Sequence, residues 1–401
     1  MHFLSILSLA SLAAALPGRR PNPRKGTEGS VAYFLENDPA GNYLVSLHIA
    51  SNGNLSSPIR TATGGYGSIQ VNGTGFPDTT DTLNSQGSVI VADDMIFTVN
   101  AGSNSVSMFS IHPEDPQHPV LVGSPVNTLG EFPISVDYSA SLRKACVLNG
   151  GAIAGIACFS VDPVHGLRAD GSLHAIPRAN INETTTPSGP TGSAAQVLFA
   201  PDASAVFATV KGNAGSSPPK LGSFLAWPVH AGIISTSEPV ITQLPNITMD
   251  FGFQFLGAKT VYLADPSFGI SLLTLQDDYT LVEKVHTVIP GQVAICWTQY
   301  QSATETLYAI DAGLNQIWTL SASTGKLIGS ISLDEVDSTL LGTFDSAIAQ
   351  GVMYSLTAAN GISAVDLGLK KEIQFLDLSD FGDRQYYEGM AVWTSASSWG
   401  E

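Results

Sequence analysis

The chain repeats one short unit from end to end, and that repetition limits its fold more than any single motif does. Residues Gln86–Leu121 contain four apolar runs: SVIVA, MIFTVN, SVSMFSI and PVL. They are separated by Asp93-Asp94, by Ala-Gly-Ser-Asn and by a Pro-rich segment. Runs of this length, rich in Val, Ile and Phe and bounded by turn residues, predict β-strands. The same order, labelled a, b, c and d, recurs at 134–176, 196–243, 252–285, 293–331 and 343–378. The first unit holds only b, c and d, at Val31–Glu36, Tyr43–Ala50 and Ile59–Thr63. One run is left over at Gly389–Thr394 (GMAVWT), and it matches the a pattern.

Seven units follow only if that last run pairs with the first unit. Such pairing also removes the exposed sheet edges that an open row of units would carry. The expectation is an all-β, seven-bladed β-propeller of four-stranded antiparallel blades, spanning 29–396 and closed by the C-terminal strand. Composition agrees: 39 Gly, 23 Pro and only 13% charged residues. After strand b come Asn37, Asn100, Asn149, Lys211, Asp265, Asp311 and Asn360. Asx residues bond their own backbone in tight turns, which explains six of the seven without a site.

Residues 1–15 read as a signal peptide, with the apolar run Phe3–Ala15 ending in Ala13-Ala14-Ala15. Residues 16–28 read as a basic, Pro-rich leader and 397–401 as a tail. The expected location is therefore the secretory-pathway lumen or outside the cell. In that setting Asn54, Asn72, Asn182 and Asn246 stand in glycosylation sequons. Cys146 and Cys158 flank an Asn-Gly-Gly turn, and a cross-strand disulfide is expected. Cys296, in VAICW, reads as a buried thiol. The net charge of −17 argues against nucleic acid, and no later apolar run is long enough for membrane insertion.

The long connections, Gly64–Gly87, Pro177–Ala195 and Ser332–Gly342, are of the d–a type. They place the expected site on the face that they share with the b–c turns. Residues entering each strand a would line the channel mouth there. Gln86, Gln196, Lys211, Gln292, Tyr387 and Glu388 are the candidate catalytic or donor groups. Phe132, Phe251, Phe253, Phe344 and Asp345 are the candidate substrate contacts. No nucleophile elbow, phosphate loop or His pair for a metal occurs. Asp250, Asp345 and Glu388 form at most a sparse acidic set, so neither a metal nor an organic cofactor is expected.

The segments VAYFLEND, FTVNAGSNSVSMFSI, CVLNGGAIAGIACFSVD, TTTPSGPTGS, VLFAPD, VKG and AICW resemble a family of secreted fungal proteins. These are described as 3-carboxymuconate cyclase-like, within the lactonase-type seven-bladed propellers. The resemblance covers essentially the whole mature chain. It implies a cyclase, and some members are hetero-Diels–Alderases that join a tropolone-type o-quinone methide to a cyclic sesquiterpene alkene. Others are lactonases, muconate cycloisomerases or non-catalytic surface antigens. Muconate-type members often carry His-Pro ahead of an inner strand, where this chain has Phe132-Pro133. A polycarboxylate would also need cationic clamps, and no Arg or Lys stands beside a predicted strand a. An apolar small-molecule substrate is the expected partner.

Overall fold

The computed structural model describes residues 29–395, apart from 79, 335, 337 and 338. The predicted signal peptide, leader and tail (1–28 and 397–401) lie outside the described residues. Seven antiparallel sheets form a ring. Blade 1 takes its inner strand from the other end of the chain. Tyr387–Trp393 pairs with Ser30–Glu36, which pairs with Tyr43–Ile49 and then Leu55–Ala62. Blades 5, 6 and 7 are continuous a–d sheets, with inner strands Phe253–Phe255, Ile295–Gln301 and Thr343–Ala349.

Burial follows position in the blade. The b strands Met95–Asn100 and Ala205–Val210 are buried throughout, because neighbouring blades cover both of their faces. In the outer strand Leu281–Val288 only Leu281 is buried, and the rest alternates exposed with half-buried positions, as a half-solvated edge does. The outer strands also depart most from the sequence expectation. In blade 2 the expected PVLVG strand is two short pieces, Val120–Leu121 and Val126–Asn127. In blade 3 the outer strand starts earlier, at Gly166–Ala169, and resumes at His174–Ala175. Blade 4 adds Ile233–Ile234 before Val240–Thr242. An edge strand has one pairing partner, so a bulge or turn inside it displaces little else.

Cys146 and Cys158 lie directly opposite each other on strands b and c of blade 3 and form a disulfide, with Cα atoms 4.1 Å apart. Replacing both by alanine is expected to lower stability by about 2–4 kcal/mol. Thermal unfolding of the double variant beside the reduced wild type tests this; an unchanged midpoint would rule it out.

Four of the residues after strand b have a shared task. Asn100 accepts from Thr63 Oγ1 (2.6 Å) and from Asn42 Nδ2 (2.8 Å). Asn149 donates to the Thr128 carbonyl (3.1 Å). Asp265 accepts the Thr248 and Met249 N–H groups (2.9 and 3.0 Å), and Asp311 those of Val293 and Ala294 (3.0 and 2.8 Å). Each thus pins the chain arriving from the preceding blade.

Candidate functional site

The expected channel mouth on the d–a face is closed. The connection from blade 1 to blade 2 folds over the axis, and Asp81–Gln86 is buried there. Two left-handed residues, Asp81 (φ 49°) and Asn84 (φ 46°), turn this segment inward. Ser85 donates to the Ile134 carbonyl of blade 3 (2.8 Å) and accepts the Trp297 indole N–H of blade 6 at its own carbonyl (2.9 Å). Gln86 spans the axis: its carboxamide donates to Thr298 O and accepts Thr298 N–H, both at 3.1 Å. A side chain at Gly252 in blade 5 would collide with Gln86 Oε1, so only glycine allows this crossing. A second long loop braces the plug, through parallel pairing of Val71–Asn72 with Ser188–Gly189.

Beneath the plug lies a charged cluster contributed by several blades. Asp81, Asp345 and Glu388 are all buried, with carboxylate oxygens within 4.8 Å of one another. Thr82 donates both its N–H and its hydroxyl (2.8 Å) to Glu388 Oε1. Asp345 Oδ2 accepts the Gly389 N–H (3.1 Å). Arg384 donates Nε to the Thr357 carbonyl of blade 7 and Nη1 to the Tyr387 carbonyl of blade 1 (2.9 Å). Its guanidinium lies 4.8 Å from the Phe344 ring centroid. Lys211 Nζ donates to the Asn84 and Ala194 carbonyls (2.7 Å each) and sits 4.6 Å from the Phe251 ring centroid. It occupies the pinning position of its blade, and its longer stem reaches the plug as well.

Burial drives the titration of this cluster. It raises the carboxyl pKa of Asp81, Asp345 and Glu388, and the neighbouring acids raise Asp81 and Asp345 further. The same desolvation lowers Lys211 to about 8 and also lowers Arg384. Three carboxyls face two cations, so one shared proton leaves the cluster neutral; Asp81 and Glu388 share a side-chain hydrogen bond. Among the described residues these three acids are the group able to approach one cation. Glu388 and Asp345 already accept protein hydrogen bonds, and Arg384 and Lys211 already meet the cluster's charge. The arrangement therefore suits proton sharing. Asp250, expected with this set, stands apart beside Asp265 and Gly222.

The channel opens on the opposite face, where the a–b turns lie. It holds about 250 Å³ and ends at Gln86 and Gly87. Gln196, Gln254, Gln299 and Asp345 line it together with Val91, Val136, Leu198 and Val392. Gln196 accepts the Phe253 N–H (2.7 Å), and Gln299 donates to the Ser346 carbonyl. The half-buried Gln254 carboxamide makes no protein hydrogen bond among the described residues. No Arg, Lys or His lines this channel.

Of the sequence candidates, Gln86, Gln196 and Asp345 meet at the channel floor, with Glu388 and Lys211 behind it. The aromatic candidates fill space instead. Phe251 and Phe344 pack against Trp297 (centroids 5.1 and 5.3 Å), Phe253 against Phe224 (5.3 Å), and Phe132 is buried in the core of blades 2–4. Tyr387 packs on Phe34 (4.8 Å). Gln292 serves its own turn, donating to Pro266 O and accepting the Ile295 N–H. Among the sequon asparagines, Asn182 and Asn246 are exposed on the d–a side and Asn72 lies half-buried in the loop bridge. Asn54 sits in the c–d turn of blade 1, on the other face. Sequence reasoning missed Asp81, Arg384, Gln254 and Gln299. The last two carried a signal: each is a polar residue inside an innermost strand.

No protein-family model and no curated protein sequence matches the chain. Solved structures do. They include the periplasmic gluconolactonase of Pseudomonas aeruginosa (TM-score 0.58, 13% identity, covering 87% of this chain and 95% of that one). A candidate 6-phosphogluconolactonase from Bacteroides fragilis aligns with TM-score 0.60 and 12% identity over 93% of this chain and 100% of its own. One from Bacteroides uniformis aligns with TM-score 0.60 and 13% identity over 91% and 100%. At such identities the likeness is one of fold: the chain is a seven-bladed propeller of the architecture found in these lactonase structures.

Proposed function

We propose that the protein is a cyclase- or lactonase-type enzyme acting on a neutral carbonyl compound in the glutamine-lined channel. Within that class, the reading best supported is a hetero-Diels–Alder cyclisation of an o-quinone methide with a cyclic alkene. One observation carries it. The channel presents carboxamides and one buried carboxyl, Asp345, whose pKa desolvation raises, with no cation to bind an anionic substrate and no histidine to activate water. Hydrolysis needs a base; a cycloaddition needs alignment and a donor on one oxygen. One C–C and one C–O bond form, the quinone methide becomes aromatic, and nothing is released. Gln254 supplies the donor, because among the described residues its carboxamide is the one of the four lining the channel that makes no protein hydrogen bond at either end. The channel is smaller than most ligand pockets, so it holds the quinone methide ring while the alkene lies at the open mouth.

The test incubates the purified protein with a quinone-methide precursor and a cyclic polyene, and separately with neutral lactones. A single stereoisomer formed above background is expected. Gln254→Leu should lower kcat about 100-fold with little change in KM. Lactone turnover without cycloadduct would move the assignment to a lactonase. Background rates in every assay would overturn the enzymatic reading and leave a binding role.

A further inference from the structure

Between blades 6 and 7, on the face where the channel opens, lies a second cavity of about 500 Å³. Blade 6 provides Gln301, Thr306, Tyr308, Thr319, Ile328 and Ile331. Blade 7 provides its a–b turn at Gln350-Gly351 and its c–d turn at Asp366–Lys370. The cleft exists because small residues stand where side chains would fill it. Gly329 pairs with Thr319 across strands c and d, and a Cβ there would lie 3.7 Å from the threonine hydroxyl. A side chain at Gly351 would meet nothing within 4 Å.

The chemistry of the walls is uniform in kind. The hydroxyls of Thr304, Thr306 and Tyr308 and the carboxamides of Gln301 and Gln350 can each donate and accept. Tyr308 and Gln301 are joined at 3.1 Å, and Thr304 donates to the same Gln301 oxygen at 2.7 Å, so these groups are held in place. The buried Thr319 hydroxyl has no hydrogen-bond partner among the described residues. Ile331 and Leu367 give the floor an apolar surface, and Ile328 forms the rim. An anion accepts only, and it would meet Asp366 beside Lys370 on a protein of net charge −17. A flat apolar molecule would leave the hydroxyls and amides without partners.

We infer that this cleft is a ligand site for an uncharged polyhydroxylated ring of hexose to disaccharide size. Ring hydroxyls donate and accept as the walls do, and the C–H face of the ring covers Ile331 and Leu367. The inference stands apart from the channel's reaction, although the two sites are neighbours. Gln299 in the channel and Gln301 in the cleft are two residues apart on one strand, about 7 Å.

The experiment titrates the folded protein with D-glucose, D-galactose, D-mannose and myo-inositol in turn, by saturation-transfer NMR and calorimetry. At least one is expected to bind saturably with a Kd below about 10 mM. Tyr308→Phe should weaken that binding about 10-fold. Ile328→Trp should abolish it by filling the cleft, and Ile328 is 57% exposed, so that variant folds even if the tyrosine variant does not. Gln254→Leu in the channel should leave it unchanged. The inference is overturned if none of the four saturates by about 100 mM, or if binding survives Ile328→Trp.

Discussion

Arg384→Ala is expected to cost the fold about 3–5 kcal/mol, the loss seen when one partner of a buried charge cluster is removed. Arg384 is 6% exposed and bonds carbonyls on both sides of the seam where the ring closes, Thr357 in blade 7 and Tyr387 in blade 1. Without it, the seam loses its clasp and three buried acids keep only Lys211 for compensation. Phe344 also loses the cation against its ring. Arg384→Lys should recover less than half, because an ammonium lacks the planar fork that reaches both carbonyls. Denaturant unfolding of both variants decides it. A loss under about 1 kcal/mol for the alanine variant would show that the seam is held by strand pairing alone.

The second large effect is a fall in stability as pH rises from about 5 to 8. Asp81, Asp345 and Glu388 have folded pKa values above their unfolded 3.8, 3.8 and 4.5. Above pH 4–5 the folded chain therefore holds more protons than the unfolded chain, and stability declines until the folded pKa is passed. The slope is about 1.4 kcal/mol per pH unit for each proton of difference. Lys211 acts in the opposite sense, but between its folded value of about 8 and its unfolded 10.5, outside this window. Asp81 faces Glu388, Asp345 and Lys211, so Asp81→Asn removes the carboxyl that shares the proton. The variant should give a visibly flatter profile and be at least as stable as wild type at pH 8. Unfolding midpoints at pH 5, 6, 7 and 8 test this. A flat wild-type profile, or a slope unchanged by the substitution, would rule it out.

The ring was legible in the sequence because each blade repeats the same alternation of strand and turn, and because GMAVWT lacked a local partner. The disulfide was legible because a short turn fixes the register of two cysteines. The site was less legible, for a physical reason. Whether an axis is open or plugged depends on where one irregular loop goes, and Asp81–Gln86 has no periodic pattern to reveal its path. The same gap placed the expected channel mouth on the face that this loop closes. Aromatic residues such as Phe132 and Phe253 read alike whether they line a cavity or fill a core, since both need an apolar surface. Lys211 stood out as the one exception to the Asx rule after strand b, and the reason became visible only with Asn84 in place.

The pairing of Ser30–Glu36 with Tyr387–Trp393 joins segments more than 350 residues apart. During synthesis at about 5–20 residues per second, the first strand waits roughly 20–70 s for its inner neighbour. Through that interval Val31–Leu35, hydrophobic throughout apart from the Tyr33 hydroxyl and destined for the interior, offers an unsatisfied edge. The closing strand thus acts as a completion check: a chain interrupted anywhere before residue 387 keeps an adhesive edge that the finished molecule never shows.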